Sequence, residues 1–265
     1  MIRKKISLAF IAAALASASA AMAQTPLPAD PLGSPMWEYH AQRLFGGAPV
    51  RFDPLVKVEI PEIAENQRVF PVTVDARALA DVQRIVIFAD LNPIPVAVEF
   101  TPKAAAPFLA TRIKLDQRTP VRAAVLTKDG TWHVSGAWID AAGGGCSAPP
   151  VSRVKGDWSD HLGEMHGAAW RHNDTETRLR VTLRHPMDTG LVENIPAYNL
   201  ERLTVTSAAG KPLADLRIFG AVSEDPAFTL IVDDVGGPLS VVARDTSGLE
   251  FTGTIAAPIT ALARR

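Results

Sequence analysis

The sequence holds one cysteine, Cys146, in the stretch Gly143-Gly144-Gly145-Cys146-Ser147-Ala148-Pro149-Pro150. A single thiol has no partner for a disulfide within its own chain, so it is a buried small residue, an intermolecular partner or a nucleophile. Its sequence neighbours offer almost no apolar side chain to wall off a sulfur, and a solvent-accessible thiol is therefore expected. The attacking species is the thiolate, and an ordinary cysteine titrates near pH ~8.5, leaving a few per cent reactive at neutrality. Such a group is inert until something activates it. The glycines remove side-chain bulk and widen the allowed backbone angles, which makes Gly143, Gly144, Gly145 and Ser147 a flexible arm around the sulfur. The chemistry that suits this composition is a reversible covalent bond between Cys146 and a small group.

Other donors lie downstream in DHLGEMHGAAWRH. His161, Met165, His166 and His172 are soft or borderline ligands, and with Cys146 they could hold copper. A metal-binding module or chaperone is thus the alternative reading. There is no tight His-x-His or Cys-x-x-Cys spacing, so loop side chains would have to converge, and no metal or other cofactor is assigned. His185 in RHPMDTG could act as a base toward Cys146. A Cys–His enzyme, however, needs its nucleophile fixed at hydrogen-bond distance, and a triglycine ribbon fixes nothing. The simpler reading ends a strand at Pro186, shapes a turn with Asp188 and Gly190, and packs Met187 where two units meet. Trp132, Trp138, Trp158 and Trp170 read as core or rim residues. No glycine-rich phosphate loop or dinucleotide fingerprint follows a strand and opens a helix. No catalytic residue is assigned, and the chain reads as a non-enzyme.

The elements that must position the thiol flank it on both sides. Residues 1–23 combine basic MIRKK, a short apolar run and a small-x-small AMA, the pattern of a signal peptide cut between Ala23 and Gln24. Export to a periplasm is the expected location. Without that segment 24 basic residues face 28 acidic ones, a net charge near −4, with lysines and arginines scattered. This is no signature of nucleic-acid or anionic-membrane binding. Ser34, Pro35 and Gly46 bracket one short helix whose Trp37, Ala41, Leu44 and Phe45 share a face.

From Val56 the period is two: Val56, Val58, Ile60; Val72, Val74; Val96, Val98, Phe100; Leu109, Thr111, Ile113, Leu115. RIVIFAD is continuous, as in a strand buried on both faces. Residues 121–140 read as a hairpin with Asp129-Gly130 supplying two positive-φ positions. Residues 141–174 show no clear period and read as linker or loop. Alternation resumes at TRLRVTLRHP and continues through Leu203, Leu213, Phe228 and Leu239 to Phe251. The expected fold is all-β, with two sandwiches and a short N-terminal helix. Residues 24–146 form the first unit with its cysteine arm, 147–165 a linker, and 166–265 the second unit.

At the level of motifs the first unit resembles SoxY and the second SoxZ, the two subunits of the carrier of bacterial sulfur oxidation. LFGGAPV, IPEIAENQRVFPVTVDA, IVIFADLNPIPVAVEFTP, TRIKL and GGGC carry the first resemblance. LRHPMDTG, SEDPAFTL and GPLSVVARDTSGLEFTGT carry the second. The order is that of the fused SoxYZ-like carriers found beside quinoprotein dehydrogenases. The resemblance implies immunoglobulin-like sandwiches and a cysteine arm that carries a covalent adduct between separate enzymes. It also implies periplasmic redox or sulfur-transfer enzymes as partners, and pairing of the two domains within the chain. One departure matters. The separate subunit ends in a glycine-cysteine-glycine-glycine tail, whereas Cys146 is followed by Ser147 and a further domain. The arm is tethered at both ends. Its reach from Ile139 is at most ~25 Å, and two lengths of chain must enter any partner unless the linker is clipped after Cys146.

Overall fold

The computed structural model describes residues 26–257 apart from 172, 174, 234 and 235. The signal-peptide reading of 1–23, and His172, lie outside the described residues. Helix α1 (Trp37–Phe45) ends at Gly46 in the left-handed conformation, φ 58°, where a glycine carries no Cβ penalty. Its start differs from expectation. Residues 34–36 form a turn in which the Ser34 carbonyl accepts from Trp37 N at 3.2 Å, and the helix proper begins two residues after Pro35.

The strands of the first half are β1 (Val50–Phe52), β2 (Lys57–Glu59), β3 (Phe70–Asp75), β4 (Val82–Ala89), β5 (Val96–Thr101), β6 (Ala105–Ile113), β7 (Thr119–Thr127) and β8 (Trp132–Ile139). A short helix α2 (Val151–Lys155) follows, and then β9 (Met165–Arg171), β10 (Glu176–Leu183), β11 (Leu200–Ser207), β12 (Pro212–Ile218), β13 (Ala227–Asp233), β14 (Leu239–Asp245) and β15 (Glu250–Ile255). No helix among the described residues is long and apolar enough to cross a membrane.

These strands make two sheets. One runs β1-β8-β7-β4-β5-β12-β11-β14-β15 and the other β2-β3-β6-β13-β10-β9. Both pass from the first half into the second through antiparallel ladders. In the larger sheet Phe100 of β5 lies opposite Leu216 of β12, and in the smaller Leu109 of β6 lies opposite Leu230 of β13. The alternating side chains of the two inner faces form one apolar cluster with members from both halves, including Ile85, Phe100, Leu109, Leu179, Leu216 and Phe228. The sequence alternation explains which face each strand buries.

RIVIFAD is the central strand β4, and its two burials have different sources. Ile85 and Ile87 enter the main core. Val86 and Phe88 face outward, where α1 covers them with Trp37, Ala41 and Phe45. Beneath the same helix Arg122 is fully buried. Its Nε donates to Asp90 at 3.0 Å, its Nη1 and Nη2 donate to Asp30 at 3.0 and 2.7 Å, and its guanidinium lies 4.9 Å from the Trp37 ring. A bidentate, fully paired guanidinium is the form in which burying an arginine is tolerated.

Two local expectations are corrected. The β7–β8 hairpin exists, but only Gly130 has positive φ, 84°. The Asp129 carboxylate accepts from Thr131 N and Thr127 Oγ1, which makes a longer turn with one left-handed glycine. The expected linker also contributes structure, because β9 pairs with β10 at the sheet edge. An edge strand with only Ala169 buried leaves little alternation to read.

Candidate thiol site

Cys146 lies between β8 and α2, where the two halves meet. Its exposure is 1%, which overturns the expectation of an accessible sulfur. The sequence neighbours do lack apolar side chains; the walls come from residues distant in sequence. The chain turns through the glycines so that Gly145 N donates to the Leu115 carbonyl at 3.0 Å and Gln67 Nε2 donates to the Gly143 carbonyl at 2.7 Å. Asp116 Oδ1 accepts from Cys146 N at 3.0 Å, from Ser147 N at 3.1 Å and from Ser147 Oγ at 3.0 Å. From the second half, Thr189 Oγ1 donates to the Cys146 carbonyl at 2.7 Å. The sulfur itself lies 3.9 Å from the Lys114 carbonyl.

Charge around the seat is arranged across the same boundary. Lys114 is buried, and its Nζ donates to the carbonyls of Met187 and Gly220, both in the second half. Burial lowers this ammonium to about 8, against the pull of Cys146, Asp188 and Glu224. Burial pushes the Cys146 thiol up to about 12. The Asp116 carboxylate adds to the rise, and Lys114 opposes it. Loss of hydration disfavours each charged form, so the geometry keeps the sulfur as a neutral thiol at physiological pH.

After Cys146 the chain stays held. Arg68 Nη1 donates to the Pro149 carbonyl at 3.1 Å. The Glu224 carboxylate accepts from Val151 N and Ser152 N, each at 2.7 Å. Arg153 donates to Asp188 Oδ2, its Nε at 3.0 Å, and its guanidinium stacks 3.6 Å from the Trp158 ring. Thr189 and Gly220 also line an open groove of about 730 Å³, whose far wall carries Glu201, Arg202, Asp215 and Arg217; Cys146 does not line it.

The RHPMDTG segment behaves as a structural element. Met187 is buried in the shared core and its carbonyl receives Lys114, so it packs at the contact between the halves as expected. His185 is buried, its Nδ1 accepts from Met187 N at 3.1 Å, and burial lowers it to about 4. No hydrogen bond joins it to Cys146 among those of the described residues. Among the described residues the copper candidates form no cluster. His161 pairs with Glu164 at 2.7 Å, while Met165 and His166 sit on β9. Among the described residues no group of three His, Cys, Asp or Glu side chains is placed to hold a metal. Trp132 packs against Phe45, and Trp138 Nε1 donates to the Leu32 carbonyl at 2.7 Å.

Sequence reasoning missed Gln67, Lys114, Asp116, Thr189 and Glu224. For Lys114 the signal was misleading: between inward Ile113 and Leu115, a lysine should face solvent. It does leave the first half's core, and the second half then covers it. Asp116 carried a weak signal, as an acid directly after a strand.

Residues 41–146 match the family described as sulfur oxidation protein SoxY, and residues 165–256 match that described as sulphur oxidation protein SoxZ. No curated protein matches the sequence. Among solved structures, the sulfur carrier protein SoxY from Chlorobium limicola f thiosulfatophilum is similar at 22% identity and TM-score 0.36, over 40% of this chain and 94% of that one. A beta-glycosidase from Bacteroides vulgatus is similar at 11% identity and TM-score 0.24, over 79% of this chain and 25% of that one. Likeness of that degree bears on neither fold nor function.

Proposed function

Because the chain is a SoxY domain followed by a SoxZ domain in one polypeptide, a fused SoxYZ-like protein of the sulfur-oxidation carrier families, we propose that Cys146 is its carrier residue. In this reading the sulfur forms a reversible covalent bond to a small sulfur-containing group and presents it to partner enzymes. The observation that carries the proposal is the place of the sole thiol. Cys146 is the last residue of the SoxY match, in a glycine segment hydrogen-bonded by both halves. The protein catalyses nothing itself. Partner enzymes, redox or sulfur-transfer in type, load and unload the thiol in a periplasm reached through the N-terminal signal, and the two halves act as one body.

The test is the intact mass of the protein isolated from its native compartment, before and after a thiol reductant. A discrete added mass that reductant removes, and that the Cys146→Ala variant lacks, is expected. A bound metal in place of an adduct, or a doubled mass that reductant halves, would overturn the carrier reading.

A further inference from the structure

We propose that the segment from Asp140 to Gly156 is a lid over its own cysteine, which keeps the thiol unreactive until the segment leaves its seat. The proposal goes beyond the carrier reading and stands on the geometry of the seat.

The glycines make the first argument. A ribbon that served only flexibility would place no separate demand on each of them. Here each has its own reason in the closed form. A Cβ on Gly145 would lie 2.3 Å from the Gln67 carbonyl oxygen, 2.4 Å from that of Leu115 and 2.8 Å from Leu115 N, all backbone atoms that cannot swing aside. Gly143 has φ 101°, and its Cβ would meet the Asp116 carbonyl at 2.7 Å. Gly144 has open space around it but φ 82°, a conformation L side chains adopt at a cost. The triglycine fits the seat residue by residue.

The second argument is how the segment is fastened. Gln67, Arg68 and Asp116 hold it from the first half, and Thr189, Glu224 and Asp188 from the second. The fasteners are polar and several lie at the surface: Ser147 is exposed and Val151 is 46% exposed. Of residues 140–156 only Gly145, Cys146, Pro150 and Ser152 are buried. Release therefore exposes little apolar surface and leaves the sheets intact, the condition for a local opening well below global unfolding. The closed seat excludes reagents sterically, and it also withholds the thiolate, since burial holds the thiol at about 12.

The experiment measures the rate of alkylation of Cys146 by iodoacetamide in the folded full chain at pH 8, against the same chain in denaturant. The native rate is expected to be at least ~100-fold the slower, as for a site that reacts only through a minor open state. Gly145→Ala cannot seat, and Thr189→Val removes one fastener without changing shape. Each should raise the native rate by at least ~10-fold while the melting temperature stays within a few degrees. Native and denatured rates within a factor of a few would overturn the lid. So would slow labelling that neither variant accelerates. If Gly145→Ala does not fold, Thr189→Val decides alone. Failure of the carrier reading shows separately, as the absence of any adduct on the isolated protein.

Discussion

At the scale of single residues, the junction turns side chains that look reactive into buried neutral groups. His185 and Cys146 do so with opposite pH signs. His185 is lowered from 6.5 to about 4 in the fold. Between these values the unfolded chain binds the proton and the native one does not, so stability is present above pH 6.5 and is lost as the pH falls toward 4. The midpoint of urea unfolding should fall over that window, and the fall should be shallower in His185→Gln. An identical acid slope in the two proteins would remove His185 as its cause. Cys146 is raised from 9.0 to about 12. Its contribution is complete below pH 9 and is lost as the pH rises toward 12. Lys114, lowered from 10.5 to about 8, acts the other way, gaining stability as the pH climbs through that range. The two offset each other between pH 9 and 10.5. The Cys146→Ala variant should accordingly hold its stability in alkali better than the natural chain, measured as the difference in melting temperature from pH 8 to 10.5. A difference that does not change with pH would contradict a buried, neutral thiol.

At the scale of elements, each segment around the core is held by something specific. Helix α1 closes the outer face of β4 with Trp37, Ala41 and Phe45. Arg122 on β7 ties that region together through Asp30 and Asp90. Replacing Arg122 with methionine fills similar volume but leaves two carboxylates buried without their cation. The expected loss is about 3–5 kcal/mol, the range for breaking one partner of a buried ion pair. Equilibrium denaturation checks this, and a loss under about 1 kcal/mol would mean that both carboxylates find water or protons freely. The glycine segment belongs to this scale too. Its composition suggested freedom, and its three conformations instead match one seat. The same residue type serves a hinge and a close approach, and only the neighbours' positions tell which.

For the whole molecule, the junction is built from ladders as well as side chains. β5 pairs with β12 and β6 with β13, and the apolar cluster runs through both halves. The covalent link between the halves is then dispensable for holding them together. A short flexible tether adds an effective concentration in the millimolar range, and a packed interface persists without it. Cutting the chain between Ser147 and Lys155 should leave two fragments that co-elute on size exclusion at micromolar concentration. Fragments that separate would make the halves independent beads. The cut would also free one end of the lid, so Cys146 should alkylate faster in the cut protein.

The sequence by itself determined the all-β class, nearly every strand, the N-terminal helix and the two-family order, but not the short helix α2. It could do so because period-two alternation and capping residues are local signals, readable within a few residues. It could not place β9, whose exposed edge position leaves no alternation, nor the hairpin turn, where the Asp129 side chain chose a longer form. Above all it could not show that Cys146 is buried. Its neighbours in the chain have nothing to bury it with. The seat is made by Gln67, Lys114, Leu115 and Asp116 from one half and Thr189 from the other, residues distant in sequence that only the folded chain brings to the glycine segment and its cysteine.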